Sequence, residues 1–172
     1  MCAIIIVQGT KEASRSPESI GKNKAVNMNT TKINTLAQFL EVEANELEQS
    51  SYDENIFTYG NQEYLVLTDS EANIEAGKEI KNSLWAFNAD FIIQHCKNYN
   101  NMDNYEYNAA IESLQEAQKN RCESLNGLVY ALIDDINEFI EDAIIADGRG
   151  HFISYYDGEE NELNDLYIYR LN

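Results

Sequence analysis

The stretch Asn55–Thr68, NIFTYGNQEYLVLT, has the pattern of two β-strands joined by a short turn. Two runs rich in β-branched and aromatic residues, Ile56–Tyr59 and Glu63–Leu67, lie on either side of the pair Gly60-Asn61. Glycine and asparagine readily adopt the positive φ angles that a two-residue hairpin turn requires. The pattern therefore predicts a tight antiparallel hairpin.

Helical patterns surround this hairpin. A short amphipathic helix is predicted from Thr35, before the hairpin. After it, Asp69 or Ser70 is predicted to cap a helix that carries apolar residues at helical spacing. Asn88 is predicted to cap a short helix in NADFIIQHC, and a longer helix is expected over Tyr107–Glu123. The residues of that longer helix expected to face the core are Ile111, Leu114 and Cys122.

The segment 125–147, LNGLVYALIDDINEFIEDAIIAD, predicts one long amphipathic helix. Its apolar stripe consists of Leu125, Leu128, Val129, Leu132, Ile136, Phe139, Ile140 and Ala143. Its acidic residues are Asp134, Asp135, Glu138, Glu141 and Asp142, and the segment contains no Lys or Arg. On a helix, Asp135, Glu138 and Asp142 share one face, with about 6 Å between residues four apart. Such a row of carboxylates is comparable in spacing to the phosphates of a nucleic-acid strand.

The next stretch, ADGRGHFISYYDGEENEL, predicts a corner, that is, a sharp change of chain direction after the acidic helix. Gly148 is expected to end the acidic helix. Arg149 is expected to complement the helix C-terminus and to pair with Asp147 or Asp142, with a contact to a partner as the alternative. HFISYY and LYIYRL are predicted to pair as a C-terminal hairpin, with DGEENELND as its loop. In that hairpin Tyr155 and Tyr156 point to opposite sides, so that one of them faces solvent or a partner.

These patterns predict an α+β fold in which short antiparallel hairpins or a small sheet pack against four to five helices. Residues 1–30 are predicted to be a flexible or additional N-terminal arm, and residues 31–172 a single acidic domain. The arm is distinguished by its polar sequence GTKEASRSPESIGKNK and by a local excess of basic residues.

The charge restricts the class of partner. Thirty acidic residues against twelve basic ones give a net charge of −18. Such a field repels nucleic acid and anionic membranes and attracts basic surfaces, so we expect neither direct nucleic-acid binding nor membrane binding. Three widely spaced cysteines without a C-x-x-C pair, and no apolar run long enough to span a bilayer, predict a protein of a host cell's cytoplasm.

The sequence lacks the common catalytic motifs. The two histidines, His95 and His151, have no partners at metal-ligand spacing, and no phosphate-binding loop or nucleophile elbow is present. The loop after Tyr156 is rich in carboxylates but lacks the spacing of an EF-hand. We therefore expect no cofactor, no metal site and no catalytic residue. The alternative left open is a small metal-dependent or hydrolytic enzyme centred on His151 and this acidic loop.

The stretch Leu132–Asn172, together with EYLVLTDSEAN and LWAFNADFI, resembles a widespread group of small acidic proteins encoded by tailed phages and related mobile elements. The resemblance covers Thr31 to Asn172 and is most specific at ADGRGHFISYYDGEEN. Most members of the group have no assigned function, and some phage proteins of this size and charge are anti-defence factors. The resemblance suggests a relation to anti-CRISPR inhibitors of type II effector nucleases, and it carries over no catalytic residues.

Charge and resemblance together predict a non-enzymatic inhibitor that binds a host nucleic-acid-binding effector nuclease through an acidic, DNA-mimicking surface. It would block guide or target-DNA engagement. A homodimeric phage housekeeping protein is a further alternative. The residues predicted to bind the partner are Asp134, Asp135, Glu138, Glu141, Asp142, Arg149, Tyr155, Tyr156, Asp157, Glu159, Glu160 and Glu162.

Overall fold

The computed structural model describes the backbone of residues 17–172 and the side chains of residues 28–172. It confirms the α+β class, with more helical segments than the four to five predicted. The helices are α1 (Pro17–Leu40), α2 (Asp69–Asn82), α3 (Ala89–Gln94), α4 (Asn104–Arg121), α5 (Asn126–Leu132), α6 (Ile136–Asp147) and α7 (Arg149–Ile153). The strands are β1 (Glu48–Gln49), β2 (Ile56–Tyr59), β3 (Gln62–Thr68), β4 (Asn161–Leu163) and β5 (Leu166–Arg170).

The strands form one antiparallel sheet in the order β1-β2-β3-β5-β4. The predicted hairpin of β2 and β3 is confirmed, since Tyr59 pairs with Gln62 and Gly60 has a φ of 60°. In the middle of the sheet Val66 of β3 lies opposite Ile168 of β5. The first and last hairpins of the described chain therefore share one sheet.

Helices cover both faces of this sheet. Because side chains alternate along a strand, Tyr64 and Val66 of β3 pack in the cluster that includes α1, whereas Leu65 and Leu67 pack with α2 and α7. A third cluster, which includes Phe139 of α6, contains residues from α2 to α6. Since α2 contributes to the second and third clusters, it joins the sheet to the helical part of the molecule.

The structure changes the predicted limits of the first helices. Helix α1 begins at Pro17, so the part of the predicted arm between residues 17 and 30 is helical backbone; residues 1–16 lie outside the described part. Helix α2 is capped by Thr68 and not by Asp69 or Ser70. The reason is a capping box, in which Glu71 accepts from the Thr68 N–H at 2.7 Å while the Thr68 hydroxyl accepts from the Glu71 N–H. The predicted Asn88 cap of α3 is confirmed.

The prediction of one continuous acidic helix is wrong, because the chain breaks between α5 and α6. Asp135 is the N-cap of α6, and its carboxylate accepts from the N–H groups of Asn137 and Glu138 at 2.8 and 3.4 Å. Just before it, Ile133 forms an isolated antiparallel bridge with Cys96. The cap formed by Asp135, and the pairing of Ile133 with Cys96 just after α3, thus take the place of one helical turn.

The break also alters the apolar stripe. Val129 and Phe139 are buried, but Leu128 of α5 is 55% exposed and Leu132 is 38% exposed. In the preceding helix Leu114 is buried as predicted, whereas Cys122 is exposed and ends α4 with a φ of 48°. Cys122 therefore does not face the core.

The predicted strand HFISYY is also wrong. Residues Arg149–Ile153 form α7, and Tyr155 and Tyr156 lie in a turn where both are exposed. A C-terminal hairpin does form, but between β4 and β5, with Asn164 and Asp165 at φ angles of 54° and 60° in its turn. Local β-propensity in HFISYY is overridden by the packing of α7 against α2 and the sheet.

A buried lysine ties α1 to the start of α2. Lys32 is 1% exposed, and its ammonium donates to Glu71 at 2.7 Å and to Asn55 at 2.6 Å. Burial opposes ionisation of Glu71, but the hydrogen bonds from Lys32 and Thr68 outweigh it and hold the pKa of Glu71 below its ordinary value. The same carboxylate therefore neutralises a buried charge and closes the capping box.

We predict that Glu71→Ala lowers the free energy of unfolding by about 3 kcal/mol, because it leaves the buried ammonium of Lys32 without its counter-charge. Urea denaturation measures the loss. Glu75→Ala is the matched control on the same helix, since Glu75 pairs with the exposed Lys78 at 2.7 Å. Its cost is expected to stay below about 1 kcal/mol. Equal losses in the two variants would contradict the role assigned to Lys32.

The lowered pKa of Glu71 also predicts a pH dependence. A carboxyl with a depressed folded pKa contributes stability above the unfolded pKa, about 4.3 for Glu, and loses it as the pH falls through the folded pKa. Glu71→Gln removes this ionisation while keeping the side-chain shape. The stability difference between the protein and this variant is therefore expected to be constant above about pH 5.5. It should shrink steadily towards pH 3, as followed by urea denaturation.

Candidate functional site

The exposed side of α6 carries the charge predicted to face a partner. Glu138, Glu141 and the residue before the helix cap, Asp134, are all exposed, and none forms an ion pair within the described residues. Residues 138, 141 and 145 fall on one outward stripe because they are three and four apart. Ile145, at the end of that stripe, is 81% exposed. We call Asp134, Glu138, Glu141 and Ile145 the α6 surface.

Two of the predicted α6 carboxylates have structural partners. Asp135 is occupied as the N-cap of the helix. Asp142 lies 3.2 Å from Nε2 of His95, whose Nδ1 lies 2.9 Å from the carbonyl oxygen of Phe91. The predicted row of Asp135, Glu138 and Asp142 is therefore replaced by the α6 surface.

Arg149 lies at the centre of the corner that follows α6. Gly148 ends the helix as predicted, with φ 78° and ψ 155°, a conformation that favours glycine. The predicted pairing of Arg149 with Asp147 or Asp142 is wrong. Its guanidinium binds Glu160 through two nitrogens at 2.9 Å each and Asp69 of α2 at 2.7 Å. A bidentate pair of this kind is both directional and strong.

The ring of Tyr167 completes the environment of Arg149, at 4.2 Å from the guanidinium carbon. Burial opposes the charged form, but Glu160 and Asp69 outweigh it and raise the pKa of Arg149. Tyr169 donates a short hydrogen bond to Glu160 from within the core. Arg149 is therefore turned inward, with only 10% of its side chain exposed.

Some carboxylates of the acidic loop have partners within the protein, and others point outward without one among the described residues. Glu160 is held by Arg149 and Tyr169, and Asp157 accepts from the Ser154 hydroxyl at 2.7 Å and the Glu159 N–H at 3.0 Å. These bonds lower the pKa of Asp157. Glu159 and Glu162 are exposed.

The two predicted tyrosines are both at the surface. The ring of Tyr156 lies 3.6 Å below the guanidinium carbon of Arg170. Tyr155 is 68% exposed and lies near Glu79 of α2. Burial, and then the neighbouring charge of Glu79, raise the pKa of Tyr155.

His151 lies in an open cavity and not among the loop carboxylates. The cavity, of about 550 Å³, is lined by Glu79, Asp147 and Tyr155 as well as His151. The loop carboxylates Asp157 and Glu160 have the partners described above. Within the described residues no three His, Cys, Asp or Glu side chains are grouped as a metal site.

Sequence reasoning did not find the aromatic side of this cavity, formed by Phe87, Phe91 and Phe152. The signal was present in LWAFNADFI, where three aromatic residues crowd into nine positions. Helical spacing alone does not distinguish a core residue from one that lines an open pocket, so this pattern did not predict the cavity.

No protein-family model, curated protein or solved structure matches the chain. The resemblance to small acidic phage proteins therefore stays a prediction. In the described part of the chain no helix has the length and apolar character needed to cross a membrane.

The geometry of the corner predicts that Gly150 accepts no side chain. A Cβ there would lie 2.4 Å from the Gly158 oxygen and 2.8 Å from backbone atoms of Glu159 and Glu160. Gly150→Ala is expected to lower the unfolding free energy by about 2 kcal/mol or more, since backbone has to move. Gly127→Ala is the control, because a Cβ on this helical glycine meets nothing within 4 Å. It is expected to gain about 0.5 kcal/mol in the same thermal or urea unfolding experiment.

Proposed function

We propose that this protein is a non-enzymatic inhibitor that binds a nucleic-acid-binding effector nuclease of a host defence system. The binding surface is the α6 surface together with the outward carboxylates Glu159 and Glu162. The bound protein blocks the groove through which the nuclease engages its guide or target DNA. The first partner to test is a type II CRISPR effector nuclease, the class suggested by the sequence resemblance.

The observation that carries this proposal is the set of unpaired carboxylates on α6. Like charges on one helix face destabilise it slightly, and Lys at neighbouring positions would relieve the repulsion. Yet segment 125–147 contains no Lys or Arg, and Asp134, Glu138 and Glu141 have no ion-pair partner among the described residues. A groove that neutralises phosphates with Lys and Arg supplies such partners.

The overall charge supports the same class of partner. A protein of net charge −18 associates fastest with a basic surface, and this attraction weakens as salt screens it. Ile145 adds an exposed apolar contact at the end of the acidic stripe. Acidic residues around an apolar anchor are suited to a protein interface, in which charge sets orientation and the apolar group adds affinity.

The test is a charge reversal confined to the α6 surface. Asp134, Glu138 and Glu141 are replaced by Lys, which spares Asp135 and Asp142 because both have structural partners. The control replaces the exposed Glu112, Glu116 and Glu123 by Lys. Each set contains three reversals of two units, so both variants change the net charge from −18 to −12.

Binding to a purified, guide-loaded type II CRISPR effector is measured by biolayer interferometry at two salt concentrations, alongside inhibition of DNA cleavage. The α6 reversal is expected to weaken binding at least about tenfold, because each close charge pair contributes about 1.5 kcal/mol or more. The control is expected to retain affinity within about threefold. An equal loss in both variants would mean that only net charge matters. Unchanged affinity in the α6 variant would exclude α6 as the interface.

A further inference from the structure

The open cavity beside the end of α6 combines aromatic walls with two carboxylates and the imidazole of His151. It has a volume of about 550 Å³. Phe87 lies between two other rings, with its centroid 5.8 Å from that of Phe91 and 6.0 Å from that of Phe152, both stacked. Glu79 and Asp147 supply carboxylates at the same cavity.

Neither carboxylate forms a salt bridge with Lys or Arg among the described residues. Lys78 interacts electrostatically with Glu79, but its salt bridge, at 2.7 Å, is with Glu75. Glu79 is half-buried and lines the cavity together with Tyr155. Partial burial strengthens the attraction of such a carboxylate for a cation, because solvent screens it less.

The C-terminal ends of α2 and α6 reach this cavity, as does Asn88, the N-cap of the short helix α3. Ser83, the residue after α2, lines it, as does Asp147, the last residue of α6. The C-terminal end of a helix carries a partial negative charge and favours cations. Lys81, in the last turn of α2, lines a different groove, and the last turn of α6 contains no basic residue.

Aromatic rings and carboxylates together match an arginine side chain. A guanidinium stacks on aromatic faces and binds carboxylates in its plane, whereas an ammonium is a compact and strongly hydrated charge. The protein uses this chemistry twice internally: Arg149 lies over Tyr167 and Arg170 over Tyr156. The cavity presents the same groups without an internal arginine.

We propose that the cavity receives an arginine side chain of the basic partner protein. This proposal rests on the proposed function, because the nuclease supplies the arginine. Glu141 and Asp147 are separated by roughly 9 Å along the helix axis and by about 120° around it, so the cavity lies at the C-terminal end of α6, on a different side of the helix from the α6 surface. A partner that covers the carboxylates of α6 therefore has to extend past the end of the helix to place a side chain in the cavity.

The first experiment tests the chemistry of the cavity without any nuclease. The full-length protein, labelled with ¹⁵N, is titrated with the peptide acetyl-Gly-Gly-Arg-Gly-Gly-amide and followed by NMR. Peptides with citrulline or lysine in place of arginine are the matched probes. The arginine peptide is expected to shift the amide signals of Phe87, Phe152 and Tyr155 saturably. The citrulline peptide is expected to cause no saturable shift, and the lysine peptide to bind at least threefold more weakly.

A pair of variants assigns the binding to the cavity. Glu79→Gln with Asp147→Asn is expected to weaken binding of the arginine peptide at least fivefold. The control, Glu112→Gln with Glu116→Gln, removes the same charge from α4 and is expected to change it less than twofold. Equal effects in the two variants, equal binding of the citrulline peptide, or shifts that map outside the cavity would each overturn the proposal.

The second experiment separates failure of this proposal from failure of the proposed function. The two neutralised variants are compared for binding to the guide-loaded nuclease, with the α6 charge reversal in parallel. A selective loss of at least fivefold for the cavity variant supports insertion of an arginine. Unchanged nuclease binding by the cavity variant, with loss in the α6 reversal, overturns the insertion and leaves the proposed function intact. Absence of nuclease binding by the unmodified protein overturns the proposed function and with it the insertion. The peptide titration then shows on its own whether the cavity binds guanidinium.

Discussion

The guanidinium of Arg149 connects the parts of this fold that the chain itself keeps apart. It binds Asp69 at the start of α2 and Glu160 just before β4, and it stacks on Tyr167 of β5. Its neighbours make this position possible: Gly148 ends α6 in a conformation that favours glycine, and Gly150 lets the backbone of residues 158–160 approach closely. Three consecutive residues thus fix where the helical part meets the sheet.

The position of this corner determines which surfaces the molecule presents. Because α6 must stop at Asp147, its last turn lies beside the end of α2 and the cavity forms between them. At the other end, the Asp135 cap and the bridge between Ile133 and Cys96 fix where α6 begins. With both ends and the buried Phe139 fixed, the helix can present Glu138 and Glu141 only outward.

The sequence predicted the elements whose signals are local. The Gly60-Asn61 turn and the Asn88 cap act within a few residues, and both are confirmed. The partners of Arg149 could not be predicted, since Asp69 lies eighty positions away in the chain and a nearer carboxylate, Asp147, was available. The strand predicted in HFISYY failed for the same kind of reason, because contacts with distant residues override local propensity.

The sequence predicted which acidic residues belong to the candidate site better than it predicted their positions and partners. The acidic pattern identified Glu138 and Glu141. It did not predict that Asp135 is an N-cap, because apolar residues keep their helical spacing on both sides of this position. The aromatic wall of the cavity was visible only as hydrophobic residues, since periodicity carries no information about whether a groove is open. The burial of a side chain distinguishes cavity-lining residues from core residues, and its hydrogen-bond partners distinguish structural carboxylates from free surface ones.

Acidic residues of this protein differ in whether a basic side chain neutralises them. Glu71 and Glu160 are paired with Lys32 and Arg149, both nearly buried, and each joins elements that are distant in sequence. The carboxylates of the α6 surface have no such partner within the described residues. Since few basic side chains are available and the best buried of them serve the fold, the excess negative charge is left on the surface. A partner therefore meets a pattern of carboxylates set by α6 and its two ends, and not a diffuse charge, so position as well as net charge governs recognition.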